Sequence, residues 1–319
     1  MFDYRYHALS LAAVLLALAV GVVIGVAIGD SNLVSSAKSG IVHDLSSELN
    51  GAHRQAGQLR TQLAGEEAFA NDLYPIAVHG MLGSRNIGLV FLGTSADQVN
   101  GLVREAVTQA GGDLMTVVAV REPLDLAGLA AAAAGTHYAT LASESTPAKT
   151  SSGSVGTSGT ERTAAEADTQ LVQRFGALVG RQLVSGGALV NRGLLSRVRS
   201  PLLSAFDGRL GKLDGLVVMR ADPTGMTPQQ AQASAAFESG LLAGVADVGV
   251  PAVGVELSST EPSQVPWYES KDLSSVDDLD ATAGRAALAY ALAGSHGAYG
   301  TKPTADSLLP NIVGTTAQP

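Results

Sequence analysis

The chain has 319 residues, 46% hydrophobic and 15% charged, with 37 glycines, a length that allows one large domain or two modest ones. Its 20 basic residues against 29 acidic give a formal charge of −9, which argues against nucleic acid, because phosphate binding needs a dominant basic stripe. Cysteine is absent, which excludes disulfides, thiolate metal sites and cysteine nucleophiles and suits an oxidising exterior.

The amino end reads as a membrane segment. From Ala8 to Gly29 the only polar side chain is Ser10, and this stretch spans about 33 Å as a helix, enough for a bilayer core of about 30 Å. A cleavable signal peptide is the rival reading, with Ala27-Ile28-Gly29 as a small-residue cleavage site. Its apolar core would be shorter, about 7–15 residues, so the length favours an uncleaved anchor. Arg5, His7 and the amino terminus precede the helix, opposed by Asp3; Asp30 follows it, and Lys38 is the nearest base beyond. Positive-inside logic then places the short amino end in the cytoplasm and the remainder outside.

Read back from Gly29 in steps of four, Gly25, Gly21, Ala17 and Ala13 complete one ridge of small residues. Glycine costs a helix roughly 1 kcal/mol against alanine. Lipid tails give helices no hydrophobic reason to pair, so small residues serve close packing of a second helix. The alternative is that glycine and alanine are simply frequent in such helices. Beyond the membrane, Val42, Leu45, Leu49, Ala52, Ala56, Leu59, Leu63, Ala70 and Leu73 recur mainly at intervals of four and three, with Glu66 as the polar intruder. That seam predicts a helical coiled-coil stalk over 31–75. Gly40, Gly51, Gly57 and Gly65 weaken a lone helix, and a single helix folding back on its own domain is the other reading. A straight stalk would hold the next domain on the order of 50–60 Å from the bilayer.

An α/β domain is expected over 86–319. "NIGLVFLG" from Asn86 is a continuous apolar run, as a strand buried on both faces should be. Ser95-Ala96-Asp97-Gln98 has the capping-box pattern ahead of Val99, Leu102, Val103, Ala106 and Val107, and Ala110-Gly111-Gly112 ends that helix. "LMTVVAV" (114–120) makes the second strand of a right-handed βαβ unit. "DGLVVMR" (214–220) and "VPAVGVEL" (250–257) flank a helix that opens at Thr227-Pro228-Gln229-Gln230 and runs to about Val245; the last clear helix spans Asp280 to Leu292. Alternating strands and helices predict a Rossmann-like or flavodoxin-like, mostly parallel sheet. The Ser/Thr/Gly-rich stretch 143–163 reads as a disordered loop within it.

Motifs for chemistry are sparse. The first βα turn, Gly93-Thr94-Ser95-Ala96, has one glycine instead of a dinucleotide fingerprint, and there is no Walker, G-x-S-x-G or H-E-x-x-H pattern. No catalytic or cofactor-binding residue is identifiable, so the chain is read as non-enzymatic. Asp277, Asp278 and Asp280 are a candidate hard-cation set, with complementing a helix dipole as the plainer account. Arg192, Arg197 and Arg199 suit an anion or a solvated helix face; Trp267 suits a partner contact or a loop anchor. Among histidines and methionines only His79 and Met81 are near each other, and soft Cu(I) sites want several converging thioether or thiolate ligands.

Two segments carry a family resemblance: "YRYHALSLAAVLLALAVGVVIG" at the amino end, and "SSVDDLDATAGRAALAYALAG" with "GAYG" at the carboxyl end. With the heptad stalk between them, the chain resembles the actinobacterial copper transporter MctB family along its whole length. The closing motif centres on Val276, Asp277, Asp280, Gly284, Tyr299 and Gly300. The resemblance implies copper homeostasis or export across the cell envelope, with copper as cargo. Family members are described as channels of the mycobacterial outer membrane, and related proteins serve the cell envelope and cell separation. A barrel needs many alternating segments of about ten residues, whereas this chain offers one apolar helix and strands patterned for burial. One helix cannot line a pore, though an oligomer of glycine-ridged helices can. Two functions are therefore expected: a homodimeric or higher-oligomeric single-pass copper protein, or a non-catalytic envelope scaffold that recruits or regulates a protein partner.

Overall fold

A computed structural model describes residues 4–29, 31–142, 158–186, 192–222 and 224–311. They form two compact units, Met1–Glu67 and Ala68–Pro319.

The first unit is helical. Helix α1 (Tyr4–Ile28) is unbroken, as its apolar, proline-free sequence requires, and Tyr4–Ala27 is long and apolar enough to cross a membrane. The helix stops one residue before Gly29, whose amide still donates to the Gly25 carbonyl over 2.8 Å. A side chain at Gly21 or Gly25 would meet nothing within 4 Å in this chain. Helix α2 (Ser31–Val78) follows. Its seam residues Leu45, Leu49, Leu59 and Leu63 are exposed.

The last turns of α2 belong with the second unit. Tyr74 and Val78 are buried there beside Leu82, so the α/β unit begins with this helix end, ahead of Asn86. Strands β1 (Asn86–Leu92) and β2 (Asp113–Val120) flank helix α3 (Asp97–Gln109). After β2 come α4 (Leu126–Ala132), a 3-10 turn at His137–Ala142, α5 (Ser158–Val184), α6 (Arg192–Leu202) and β3 (Leu203–Gly208). The remainder is β4 (Gly215–Arg220), α7 (Pro228–Ala246), β5 (Ala252–Val255), α8 (Val265–Glu269), β6 (Ser274–Val276), α9 (Thr282–Ala293) and β7 (Ala298–Tyr299). The sheet order is β3-β2-β1-β4-β5-β6-β7. All neighbours are parallel except β3, which runs antiparallel to β2.

Alternation along β1 explains its continuous apolar run. Leu89 and Phe91 join a core with α3, α9 and the end of α2, while Val90 and Leu92 face a second core with α4, α5, α6 and α7. Helices cover both faces, so both sets of side chains must be apolar. On the second face, Gly176 and Gly180 of α5 lie against the backbone of Phe237 and Leu241 in α7, and Gly240 and Gly244 of α7 against that of Gln173 and Ala177 in α5. A Cβ at Gly180 would overlap the Leu241 carbonyl oxygen, and one at Gly240 would overlap that of Gln173. Small residues four apart on both helices let the backbones approach this closely.

The Thr227 capping box forms as expected, with Pro228 opening α7. The one expected at Ser95 does not. The N-cap is Ala96, which offers no side-chain acceptor, and Asp97 supplies charge to the first turn instead. Likewise α9 starts after Asp280, capped by Ala281. Of the stretch 143–163, residues 143–157 lie outside the described residues, while Ser158 onward is helical and opens α5. Trp267 sits in the short helix α8, with proline in its first turn, where a loop was expected.

Candidate functional site

The parallel strands end on one edge of the sheet, and that edge carries most of the unit's buried charge. The chain passes from β1 to β2 on one side, then returns to β4 on the other side of β1. Such a reversal leaves a crevice at the carboxyl ends, where open α/β sheets place their ligands. Gly93 lies just after β1, Glu122 just after β2, and Arg220 ends β4.

Glu238 projects from α7 into this edge and is 2% exposed. Arg220 meets it with Nε at 3.2 Å from Oε2 and donates from Nη1 to Gln264 Oε1 at 2.7 Å. The guanidinium carbon lies 4.8 Å from the centre of the Trp267 ring. Glu122 is half-buried; burial first, then the neighbouring Glu238 carboxyl, raise its own carboxyl to about 8. Its Oε2 occupies the space a Cβ at Gly93 would approach, at 2.9 Å. At this turn, where other proteins of this topology can cradle phosphate, Gly93 is buried against the Glu122 carboxyl group while Thr94 and Ser95 are exposed.

One strand over, Glu256 is 1% exposed. It accepts from Lys302 Nζ at 2.6 Å, from the Ser263 hydroxyl at 2.8 Å and from the Gln264 amide at 2.5 Å. Lys302 Nζ also donates to the carbonyls of Leu257 and Thr260. Tyr268 is fully buried, donates to the Val255 carbonyl and accepts from the Arg220 amide; burial raises its phenol.

The closing motif gathers here as well. Val276 ends β6 and is buried. Asp277 accepts from the amides of Thr301 (2.9 Å) and Lys302 (3.2 Å). Gly300, at φ +141°, packs so tightly on the Asp277 carboxylate that a Cβ would overlap it. Tyr299 donates to the His296 carbonyl at 2.8 Å. Gly284 lets the start of α9 lie against Asp278, whose carbonyl oxygen a Cβ would overlap.

The three aspartates take separate roles. Asp280 accepts from the Ser258 amide (2.8 Å) and hydroxyl (2.6 Å). Burial would raise its carboxyl, but those hydrogen bonds outweigh burial and hold it below the usual range. Asp278 is 1% exposed, and neither carboxyl oxygen has a hydrogen-bond partner. Burial, then the Asp277 and Asp280 charges, push it up to about 6.

Among the described residues no group of three or more His, Cys, Asp or Glu is placed to hold a metal. His79 is exposed just past α2, and Met81 is half-buried against the core. The Arg199 guanidinium stacks over Phe206 at 3.7 Å, and Arg197 is exposed; the side chain of Arg192 lies outside the described residues. Glu122, Arg220, Glu238, Glu256 and Lys302 were not singled out from sequence. Arg220 and Glu256 had a readable signal, since each is a charge ending an apolar run.

One membrane-length helix, a long helix with an exposed apolar seam and a doubly wound α/β unit with a charged carboxyl edge define a membrane-anchored α/β protein. The chain belongs to the MctB family: the profile described as "Copper transport outer membrane protein, MctB" matches residues 1–310. Two similar proteins are the copper transporters MctB of Mycobacterium tuberculosis (strain ATCC 25618 / H37Rv), 32% identical over 122 residues, and of Mycobacterium leprae (strain TN), 31% identical over 122 residues. Each match covers 38% of this chain and 38% of the relative, so the aligned stretch spans well under half the length of either.

Proposed function

We propose that this protein serves copper homeostasis or export across the cell envelope, as a single-pass membrane protein with its short amino end in the cytoplasm and its α/β unit outside. The observation that carries the reading is the family match over residues 1–310, joined to a helix of membrane length at Tyr4–Ala27. Copper is cargo in this reading, and catalysis has no part in it. The sheet itself is not the conduit. It is open, its strands are two to eight residues long, and its neighbours are mostly parallel, whereas an outer-membrane barrel is closed and antiparallel.

The chain works as a homodimer or higher oligomer. Two features support this: the Ala13–Gly29 ridge, open at Gly21 and Gly25, and the exposed leucines of α2, which suit a parallel coiled coil. Competition for Cu(I) between the full chain in lipid nanodiscs and a chelator, under reducing conditions, tests for direct binding. Stoichiometric binding supports a carrier, and His79 and Met81 are then the first substitutions. Copper-independent growth of a deletion strain, with a wall or separation defect, favours the second reading. In that reading the same exposed seam of α2 holds an envelope partner, and the protein is a scaffold.

A further inference from the structure

Strand β3 ends the sheet, and among the described residues no strand pairs with its outer side. Its ladder with β2 fixes which backbone groups are left over. The Arg209 amide donates to the Met115 carbonyl at 3.1 Å, and the register sets Asp207 opposite Val117 and Ala205 opposite Ala119. Bonding alternates along an antiparallel pair, so Phe206 and Gly208 turn their N–H and C=O groups to the open edge. The Gly208 amide is taken by the Asp207 carboxylate at 2.8 Å, which leaves both groups of Phe206 for an incoming strand. A groove of about 320 Å³ lies along this edge, lined by Arg199, Ser200 and the first four residues of β3.

The edge is basic in an acidic chain. Between positions 192 and 212 stand Arg192, Arg197, Arg199, Arg209 and Lys212 against one acid, Asp207. The Arg199 guanidinium lies over the Phe206 ring; stacking uses its face and leaves its N–H rim for a carboxylate. Arg104 of α3 reaches the opposite face of the strand, 3.8 Å from Asp207. Arg209 and Lys212 are exposed just past β3, and neither forms an ion pair among the described residues.

We propose that the outer edge of β3 is a docking site for an extended acidic segment of a partner protein, which adds to the sheet as a further strand. Its backbone bonds to Phe206, as in other edge-strand additions. Its alternate side chains fall on the two faces, where carboxylates meet Arg199 on one and Arg104 on the other. A second copy of β3 is not the occupant, because it brings the same basic excess against this one. A bilayer surface supplies negative charge but no N–H and C=O groups at strand spacing. The site belongs to the α/β unit alone and does not depend on the copper reading.

The probe is a fluorescein-labelled peptide of alternating valine and glutamate, added to the full chain in nanodiscs of zwitterionic lipid. Anisotropy should show saturable binding that weakens with salt. Amide exchange at Phe206, fast in the free chain, should slow when the peptide is bound. Arg199→Glu with Arg209→Glu changes two exposed side chains and should weaken binding by about tenfold or more. The N-methylated peptide keeps the charge but has no N–H to give, and should neither bind as well nor protect Phe206. A Phe206 amide already protected in the free chain, no binding of the peptide, equal binding of its N-methylated form, or binding unchanged in the double variant would overturn the proposal. Association with phosphatidylglycerol vesicles that the double variant loses, without peptide binding, would overturn it in favour of a membrane contact.

Discussion

The ammonium of Lys302 lies 2.6 Å from Oε1 of Glu256, a carboxylate that is 1% exposed. This pair ties the segment after β7 to the end of β5. Removing one partner of a buried ion pair strands the other, at a cost of about 3–5 kcal/mol. Lys302→Met is therefore expected to lower stability by that order, measured by denaturant unfolding of the full chain in detergent. Lys302→Met combined with Glu256→Gln should recover part of the loss, since the stranded charge is then gone.

The α5–α7 contact depends on absent side chains. Gly180→Ala places a methyl group on the Leu241 carbonyl oxygen, an overpacking that costs about 1–3 kcal/mol. Gly101 in α3 is the control, because a Cβ there meets nothing within 4 Å. Gly101→Ala should stabilise by about 0.5–1 kcal/mol. Thermal melts of the two variants should shift in opposite directions.

Asp278 makes stability depend on pH with a defined sign. Its carboxyl is raised to about 6 in the fold, against about 3.9 unfolded, so the folded state favours the protonated form. Below pH 4 both states are protonated and there is no penalty. Between about 4 and 6 stability falls as pH rises, and above 6 the whole penalty applies, about 3 kcal/mol. Asp278→Asn should accordingly be more stable than wild type at pH 8 and equal to it near pH 4. An equal gain at both pH values would mean the carboxyl charge is not the cause.

Pairing through the membrane helix and α2 has its own test. Leu59 and Leu63 are 58% and 57% exposed, so Leu59→Lys with Leu63→Lys costs a lone chain little. In a coiled coil the same changes put charge in the seam. A Cβ at Gly25 likewise meets nothing within 4 Å in the chain, and Gly25→Leu blocks close approach of a second helix. Cross-linking in native membranes should drop sharply for the three-residue variant. Unchanged cross-linking would remove the ridge and seam from the account.

Strongly patterned elements were legible in the sequence. β1, β2 and β4 fall within a residue or so of their apolar runs, and Thr227 caps α7 as its spacing required. β6 and β7 were not, because three and two residues are too few to show a period. α5 was hidden because the Ser/Thr-rich stretch ahead of it runs into its first turn. The candidate site was only half visible. The aspartates of the closing motif stood out as a cluster, yet the fold sends Asp277 to the Thr301 and Lys302 amides and Asp280 to Ser258. Glu122 and Glu238 are far apart in sequence, and only the sheet order brings them together.

The central claim is that this protein limits copper within the cell. The most direct test is cell-associated copper, measured by mass spectrometry in the host strain, a deletion strain and a strain with the gene restored, all grown with added copper. The account predicts higher copper in the deletion strain and a return to the host level on restoration. Equal copper in all three strains would contradict it.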